Sequence, residues 1–234
     1  GDEYVLNGRK CFITNASVAD FFVVTAMTAK DQGTKGISAF LVYKGTPGLS
    51  VGNHENKMGI RCSTTSDVIL RIPAENRLGE EGTGFITAMK TLDLARTWCA
   101  VIGVGVAQRC IDEAVAYSKQ RVQFGKPICK NQAIQFKIAD MEIKLQSARA
   151  MMMYAAKVVD EGKPISCLGS ISKTYVSEAV NQIVDEALQI LGGYGYSKDY
   201  PIEKMLRDVR VYRIFEGTNE VQRQIIGKTI IGKC

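Results

Sequence analysis

The sequence is poor in the residues that announce metal or disulfide chemistry. His54 is the only histidine, and none of the cysteines (Cys11, Cys62, Cys99, Cys110, Cys129, Cys167, Cys234) stands in a CxxC pair. Neither a zinc centre nor any other metal site is expected, and an odd cysteine count argues against a disulfide framework. Cysteines scattered through helical stretches read instead as small core hydrophobes in a reducing compartment, with the cytoplasm as the default. Proline is scarce too, 5 residues against 22 glycines, and with 46% hydrophobic and 23% charged residues this excludes collagen-like, low-complexity and disordered chains. No run approaches the roughly 18 to 20 apolar residues of a membrane span. The opening Gly1-Asp2-Glu3 lacks the basic stretch of a secretory signal, so a soluble protein is expected.

Concentrated charge is also missing. Lys and Arg number 30 and Asp and Glu 24, a balance of +6, and the basic residues are interspersed with acids along the chain. That spacing makes no nucleic-acid patch; the small excess suits an acidic partner or a phosphorylated ligand.

What is present divides near residue 78. The first part is rich in short apolar segments bounded by Gly, Pro and Asp: Glu3 to Thr14, Phe21 to Thr25, Ile37 to Tyr43 and Val68 to Ile72. Within the first, Asn7-Gly8 is the strongest short hairpin signal, so a turn is expected there. From residue 79 onward apolar residues recur at three and four, predicting helical blocks at about 83–119, 130–161, 166–191 and 202–230. The fold class expected is α+β: a small antiparallel β domain over 1–78, then an antiparallel four-helix bundle over 79–234. A chain that opens straight into a strand suggests a first sheet short of partners, and so a fragment of a longer protein.

Three tempting motifs carry little. Gly103-Val104-Gly105 imitates a dinucleotide fingerprint but lies inside a helical block, where close helix packing explains it better. Gly227-Lys228-Thr229 imitates the end of a P-loop but lacks the earlier glycine, Gln222 standing in its place. The run Met151-Met152-Met153 reads as adaptable core and interface filling.

Four patterns remain. In Phe12-Ile13-Thr14-Asn15 an aromatic and a hydroxyl stand two apart, on one face of a strand. In Arg121-Val122-Gln123-Phe124-Gly125-Lys126-Pro127 the arginine either stabilises a helix C-terminus or grips a phosphate, with Gln132 one turn into the next helix able to join it. In Gln189-Ile190-Leu191-Gly192-Gly193-Tyr194-Gly195-Tyr196 one glycine suffices for a helix cap, and three within four suggest that a ligand approaches the backbone. The fourth runs from Tyr200 to Asp208 and on through Ile214-Phe215-Glu216-Gly217-Thr218-Asn219-Glu220, a carboxylate after two apolar residues and before an N-capping hydroxyl.

In this order and spacing, with Lys57 to Arg61 and Gly82 to Phe85, these segments resemble the flavin-dependent acyl-CoA dehydrogenases over essentially the whole chain. The resemblance implies an FAD enzyme that removes two hydrogens across the α and β carbons of an acyl-CoA thioester. Glu216 is then the base that takes the α proton, and the β hydrogen leaves as hydride to flavin N5. An ordinary glutamate titrates near 4.3, and apolar surroundings such as Ile214 and Phe215 raise a carboxyl toward roughly 6 to 7, where it becomes a useful base. The backbone N–H of Glu216, with a ribityl hydroxyl, matches the donor to the thioester oxygen. Relatives that carry the base on the first bundle helix do so near Ala95, and neither Leu94 nor Ala95 can accept a proton.

Asp93, Leu94, Ala95 and Arg96 match substrate positions, with Asp93 and Arg96 toward CoA, and Gly217 lies beside substrate. Phe12, Ile13 and Thr14 match the isoalloxazine contacts, with Phe where the family usually has Trp. Arg121, Gln132 and the Gln189, Ile190, Leu191, Gly192, Gly193 segment match cofactor contacts made from a neighbouring subunit, and Thr218, Asn219 and Glu220 those of the last loop. A cofactor shared between chains implies a homo-oligomer, by family habit a dimer of dimers. The implied partner for reoxidation is an electron-transferring flavoprotein, and the implied location is the cytoplasm, or the mitochondrial matrix in a eukaryote. The family's N-terminal helical domain has no counterpart in the sequence, which reads as the C-terminal part of such an enzyme; an oxidase or an enoyl-CoA reductase of the same fold, and a noncatalytic CoA-binding fragment, are the alternatives.

Overall fold

A computed structural model describes residues 4–73 and 76–233; Gly1-Asp2-Glu3 and Cys234, used in the sequence reading, lie outside the described residues. The chain forms two compact units, Gly1–Thr91 and Leu92–Cys234.

The first unit is built on six strands: β1 (Val5–Thr14), β2 (Phe21–Met27), β3 (Ile37–Tyr43), β4 (Leu49–His54), β5 (Thr65–Pro73) and β6 (Arg77–Leu78). They make two antiparallel sheets, ordered β1-β5-β4 and β2-β3-β6. Period-two alternation decides the core: on β2, Phe22 and Val24 are buried while Phe21 and Val23 face out. Those inward residues join Leu6, Phe40, Val42, Val68 and Leu70 in one apolar cluster. Each large side chain so buried contributes about 1.5–3 kcal/mol.

The hairpin expected at Asn7-Gly8 is not there. β1 runs straight through, with Asn7 opposite Arg71 and Gly8 opposite Leu70. Turn propensity lost to pairing: Leu6, buried in the core, and Asn7 to Lys10 find partners on β5, some sixty positions along the chain. The alternation expected across Phe12 and Thr14 also fails, because the register shifts between Lys10 and Ile13 and Phe12 adopts a left-handed φ of 56°. This is a bulge, and it redirects the side chains on which a same-face argument depends.

The second unit is helical. It holds α1 (Gly84–Gln120) from Leu92 onward, α2 (Gln132–Asp160), α3 (Ser166–Leu191), α4 (Gly193–Tyr196), α5 (Ile202–Val209) and α6 (Asn219–Ile231). α3 is its axis, with a buried stripe through Val176, Val180, Ile183, Val184 and Ala187. α1 runs alongside in the same direction: a Cβ on Gly103 would come within 3.2 Å of Val176 and Val180, so this glycine permits the close approach expected from the sequence. α2 runs the opposite way, its Lys137 pairing with Glu186 near the end of α3. The described methionine run is less interior than expected, with Met153 exposed and Met151 and Met152 half-buried. Among the cysteines, Cys110 is a core residue against Met205 (Sγ to Sδ 3.2 Å), whereas Cys11 and Cys62 are exposed and fill no core. No helix among the described residues is long and apolar enough to cross a membrane.

Two local outcomes shape the site. Arg121 to Pro127 folds as a tight hairpin, β7 (Val122–Gln123) and β8 (Lys126–Pro127), around Phe124 and Gly125, both with positive φ. This is the turn geometry that twisted strands favour, found here rather than at Asn7-Gly8. The predicted helix over 202–230 is in fact two: α5 tightens into a 3-10 turn at Arg210–Arg213, the chain breaks, and α6 starts afresh at Asn219. Left-handed backbone at Glu216 (φ 56°) and Gly217 (φ 83°) cannot belong to a right-handed helix.

Candidate active site

The break between α5 and α6 presents Glu216. Before it, Phe215 stacks on the buried Tyr212 at 5.3 Å with planes 6° apart, which anchors the incoming chain. Burial pushes the Tyr212 hydroxyl up to about 12. After it, Thr218 caps α6, its hydroxyl accepting from the Val221 N–H at 3.4 Å, as the sequence anticipated. Glu220, exposed in the first turn, has its carboxyl held below the ordinary range by its own backbone N–H and the Thr218 hydroxyl.

A left-handed glutamate costs about 1–3 kcal/mol and persists only where its surroundings over-determine it. Here they do. Gln222, wholly buried, donates from Nε2 to the carbonyls of both Glu216 and Gly217 at 3.1 Å. Lys173 on α3, 1% exposed, donates to the Gly217 carbonyl and to Asn219 Oδ1, each at 2.8 Å. Asn219 in turn donates to Ser177 Oγ at 3.0 Å and to Glu178 at 3.3 Å. The side chain of Asn219, expected at a cofactor, is thus occupied inside the helical packing. Within this pairing two buried oxygens have no hydrogen-bond partner, Gln222 Oε1 and Glu216 Oε2, and only the second belongs to an ionisable group.

α1 contributes the facing residues. Arg96 is buried and paired with Asp93 at 2.7 Å, one turn earlier; its Nε, like the neighbouring Thr97 hydroxyl, lacks a hydrogen-bond partner. Leu94 is exposed and Ala95 half-buried. Cys99 lies within electrostatic reach of Glu216, its thiol pushed up to about 11 by burial and then by that carboxylate. The four substrate positions and the Glu216 loop therefore belong to one helical unit, and Lys173, Gln222 and Cys99 are members that the motif reading missed. A signal existed for Lys173: it is the charged residue on the apolar stripe of α3.

The second and third sequence patterns meet as well. The Arg121 guanidinium lies over the Tyr194 ring at 5.6 Å, and Tyr194 packs against Tyr117 and Tyr200. Arg121, Tyr117 and Tyr194, with Ile190 to Gly193, line an open cleft of about 610 Å³. Its glycines divide by role. Gly192 has a φ of 59°, Gly195 is needed because a Cβ would lie 2.5 Å from the Leu188 carbonyl, and Gly193 borders open space with no atom within 4 Å of a Cβ. Only Gly193 keeps the reading of a ligand against bare backbone. Gln189 is exposed at the end of α3, and Gln132 is the first residue of α2 rather than one turn in. A cation, aromatic faces and a bare peptide suit a phosphorylated aromatic cofactor such as FAD.

In the β unit, Phe12 sits at the bulge and is 71% exposed, Ile13 is half-buried and Thr14 exposed. The bulge is tied to Asp67, whose carboxyl is held below the usual range chiefly by the Arg9 guanidinium and, more weakly, by the Phe12 N–H.

With this geometry in hand, comparison places the chain. Residues 82–231 match the model of the acyl-CoA dehydrogenase C-terminal domain, and residues 1–71 that of the middle domain. The chain belongs to the acyl-CoA dehydrogenase family. It superposes on the butyryl-CoA dehydrogenase of Megasphaera elsdenii with a TM-score of 0.96 at 46% identity, covering 98% of this chain and 61% of that one. It is 48% identical to CarC, a subunit of the caffeyl-CoA reductase-Etf complex of Acetobacterium woodii, over 100% of this chain and 62% of the relative. A structure described as the FAD complex of PigA aligns with a TM-score of 0.92 at 34% identity, covering 97% and 60%. The chain spans about 60% of the length of the relatives it matches.

Proposed function

We propose that the protein to which this chain belongs catalyses FAD-dependent α,β-dehydrogenation of an acyl-CoA thioester, with Glu216 as the base. The observation that carries this is the buried Glu216 Oε2 without a hydrogen-bond partner, on a loop whose Glu216 and Gly217 carbonyls are held by Gln222 and Lys173. A carboxylate kept dry and uncommitted is suited to take a proton from carbon. Oε2 accepts the α proton; the Glu216 backbone N–H is the donor assigned to the thioester oxygen. FAD, when bound, supplies the acceptor for the hydride that leaves the β carbon. The Asp93–Arg96 pair faces the CoA portion, with Leu94, Ala95 and Gly217 beside the acyl group.

For the cofactor, Phe12, Ile13 and Thr14 are assigned to the isoalloxazine, and Thr218 and Glu220 to its contacts at the last loop. Arg121, Gln132, Gln189 and Gly193 would grip the diphosphate and adenosine of a second subunit's FAD, which requires a homo-oligomer, a dimer of dimers by family analogy. An electron-transferring flavoprotein is the proposed reoxidant, supported by CarC's belonging to an Etf complex. The middle and C-terminal domains are taken to meet between residues 78 and 79, inside the gap between the two family matches.

The test is spectroscopic. Full-length protein should be yellow, and its flavin absorbance should bleach on adding a short acyl-CoA. Equal bleaching by Glu216→Gln would show that the base lies elsewhere. A second reading, reduction of an enoyl-CoA by the reverse path, is favoured by the reductase CarC. Photoreduced protein that recolours faster with an enoyl-CoA than the oxidised form bleaches with the saturated thioester would select it.

A further inference from the structure

Lys173 is an anomaly. It is 1% exposed, and among the described residues no carboxylate lies in ion-pair contact with it; its ammonium donates only to neutral oxygens, the Gly217 carbonyl and Asn219 Oδ1. Burying an ammonium on neutral acceptors is costly, and the same two oxygens could be satisfied by an uncharged donor. The charge therefore calls for an explanation beyond packing. Its surroundings supply one. From the last loop Glu216 and Glu220 act on it electrostatically, and from α1 Arg96 and Cys99 do so. The carbonyl it holds belongs to the residue directly after Glu216, whose Oε2 is a buried carboxylate oxygen with no hydrogen-bond partner.

We propose that Lys173 is the positioning residue of the Glu216 base: its ammonium clamps the Gly217 peptide and so fixes the left-handed loop, while its charge supplies a positive field to a carboxylate that has no donor of its own. The inference rests on Glu216 being the base. Gln222 shares the clamp but carries no charge, so only Lys173 can do both. Burial pushes the Lys173 ammonium down to about 8, so the clamp is charged at neutral pH and discharges in mild alkali.

The test uses full-length protein and three variants. In protein carrying 13C-labelled lysine, one ε-carbon signal should titrate near pH 8 and vanish in Lys173→Met. In Glu216→Gln that signal should titrate at lower pH, because a negative neighbour has been removed; this needs no cofactor and no turnover. In the FAD-loaded enzyme, Lys173→Met should lower kcat by about tenfold to a hundredfold with KM changed less than about twofold, and the fall in rate above pH 8 should be gone. Lys173→Gln, which keeps a donor, should recover melting temperature without recovering rate. An unmoved lysine titration in Glu216→Gln overturns the proposal, and so does a wild-type rate and pH profile in Lys173→Gln. Should Lys173→Met not fold, the titration in Glu216→Gln decides alone. If Glu216→Gln itself turns over at the wild-type rate, the base assignment falls; if it is inactive while the lysine titration stays put, only the role of Lys173 falls.

Discussion

Of the described non-glycine residues in left-handed backbone, Phe12 and Glu216 are held by opposite means. Phe12 turns out at a bulge fastened by Asp67, whose partner Arg9 is 64% exposed at its side chain. Glu216 turns in on a loop fastened by Lys173 and Gln222, both buried. Exposed ion pairs contribute little to stability, whereas a buried acceptor stripped of its donor costs about 1–3 kcal/mol. The chain thus keeps its rigid clamps for the carboxylate assigned to chemistry and holds the aromatic ring more loosely.

Substitutions graded along that contrast should break or sharpen it. The largest effect is expected from Glu216→Gln, an amide that packs like the acid and accepts no proton. Its rate of flavin bleaching by acyl-CoA should fall by about 10²- to 10⁴-fold with little change in melting temperature. Next comes Gly217→Ala, which meets both a φ of 83° and a Cβ position 2.5 Å from Gln222 Nε2. A loss of about 2–3 kcal/mol in denaturant unfolding is expected, along with a slower reaction, as the loop gives way. Gln222→Leu fills the same space but leaves two carbonyls without that donor, and should cost about 1–3 kcal/mol by the same measurement.

A pH scan separates the two clamps. Lys173 releases its proton near 8 when folded and near 10.5 when unfolded, so the unfolded chain binds more protons between those values and stability rises with pH across the window. Lys173→Met should flatten that rise. Asp67, with its folded value depressed, works at the other end: its contribution is complete above the ordinary carboxylate value and is lost as pH falls through the depressed one. Asp67→Asn should therefore lose a little stability at neutral pH and none in acid below the depressed value, and this is the smallest effect expected. A large loss at neutral pH would show that the bulge is clamped as firmly as the Glu216 loop, and the contrast would fail.

Much of the helical unit was legible in advance because its signals are local. α1, α2 and α3 lie within two residues of the blocks drawn from apolar spacing, since a long helix makes its own hydrogen bonds and shows its buried face at three and four. The cap at Thr218 was legible for the same reason. The errors came where partners are distant. Asn7-Gly8 has the composition of a turn, yet β5 claims both residues; Phe124-Gly125 lacks the usual asparagine, yet forms the hairpin. The continuous helix over 202–230 was misjudged because no local rule weighs a buried Lys173 and Gln222 pulling on the same carbonyl.

By itself, then, the sequence determined the two-part character of the chain, the long helices and the cap at Thr218, because periodicity and residue type are written along the chain. Only the tertiary structure decided that Oε2 of Glu216 is buried and unpaired, that Arg121 meets Tyr194, and that a lysine 43 positions before Glu216 grips the peptide next to it. Such facts depend on the packing of α1, α3 and the last loop, where burial turns ordinary side chains into costly and specific ones.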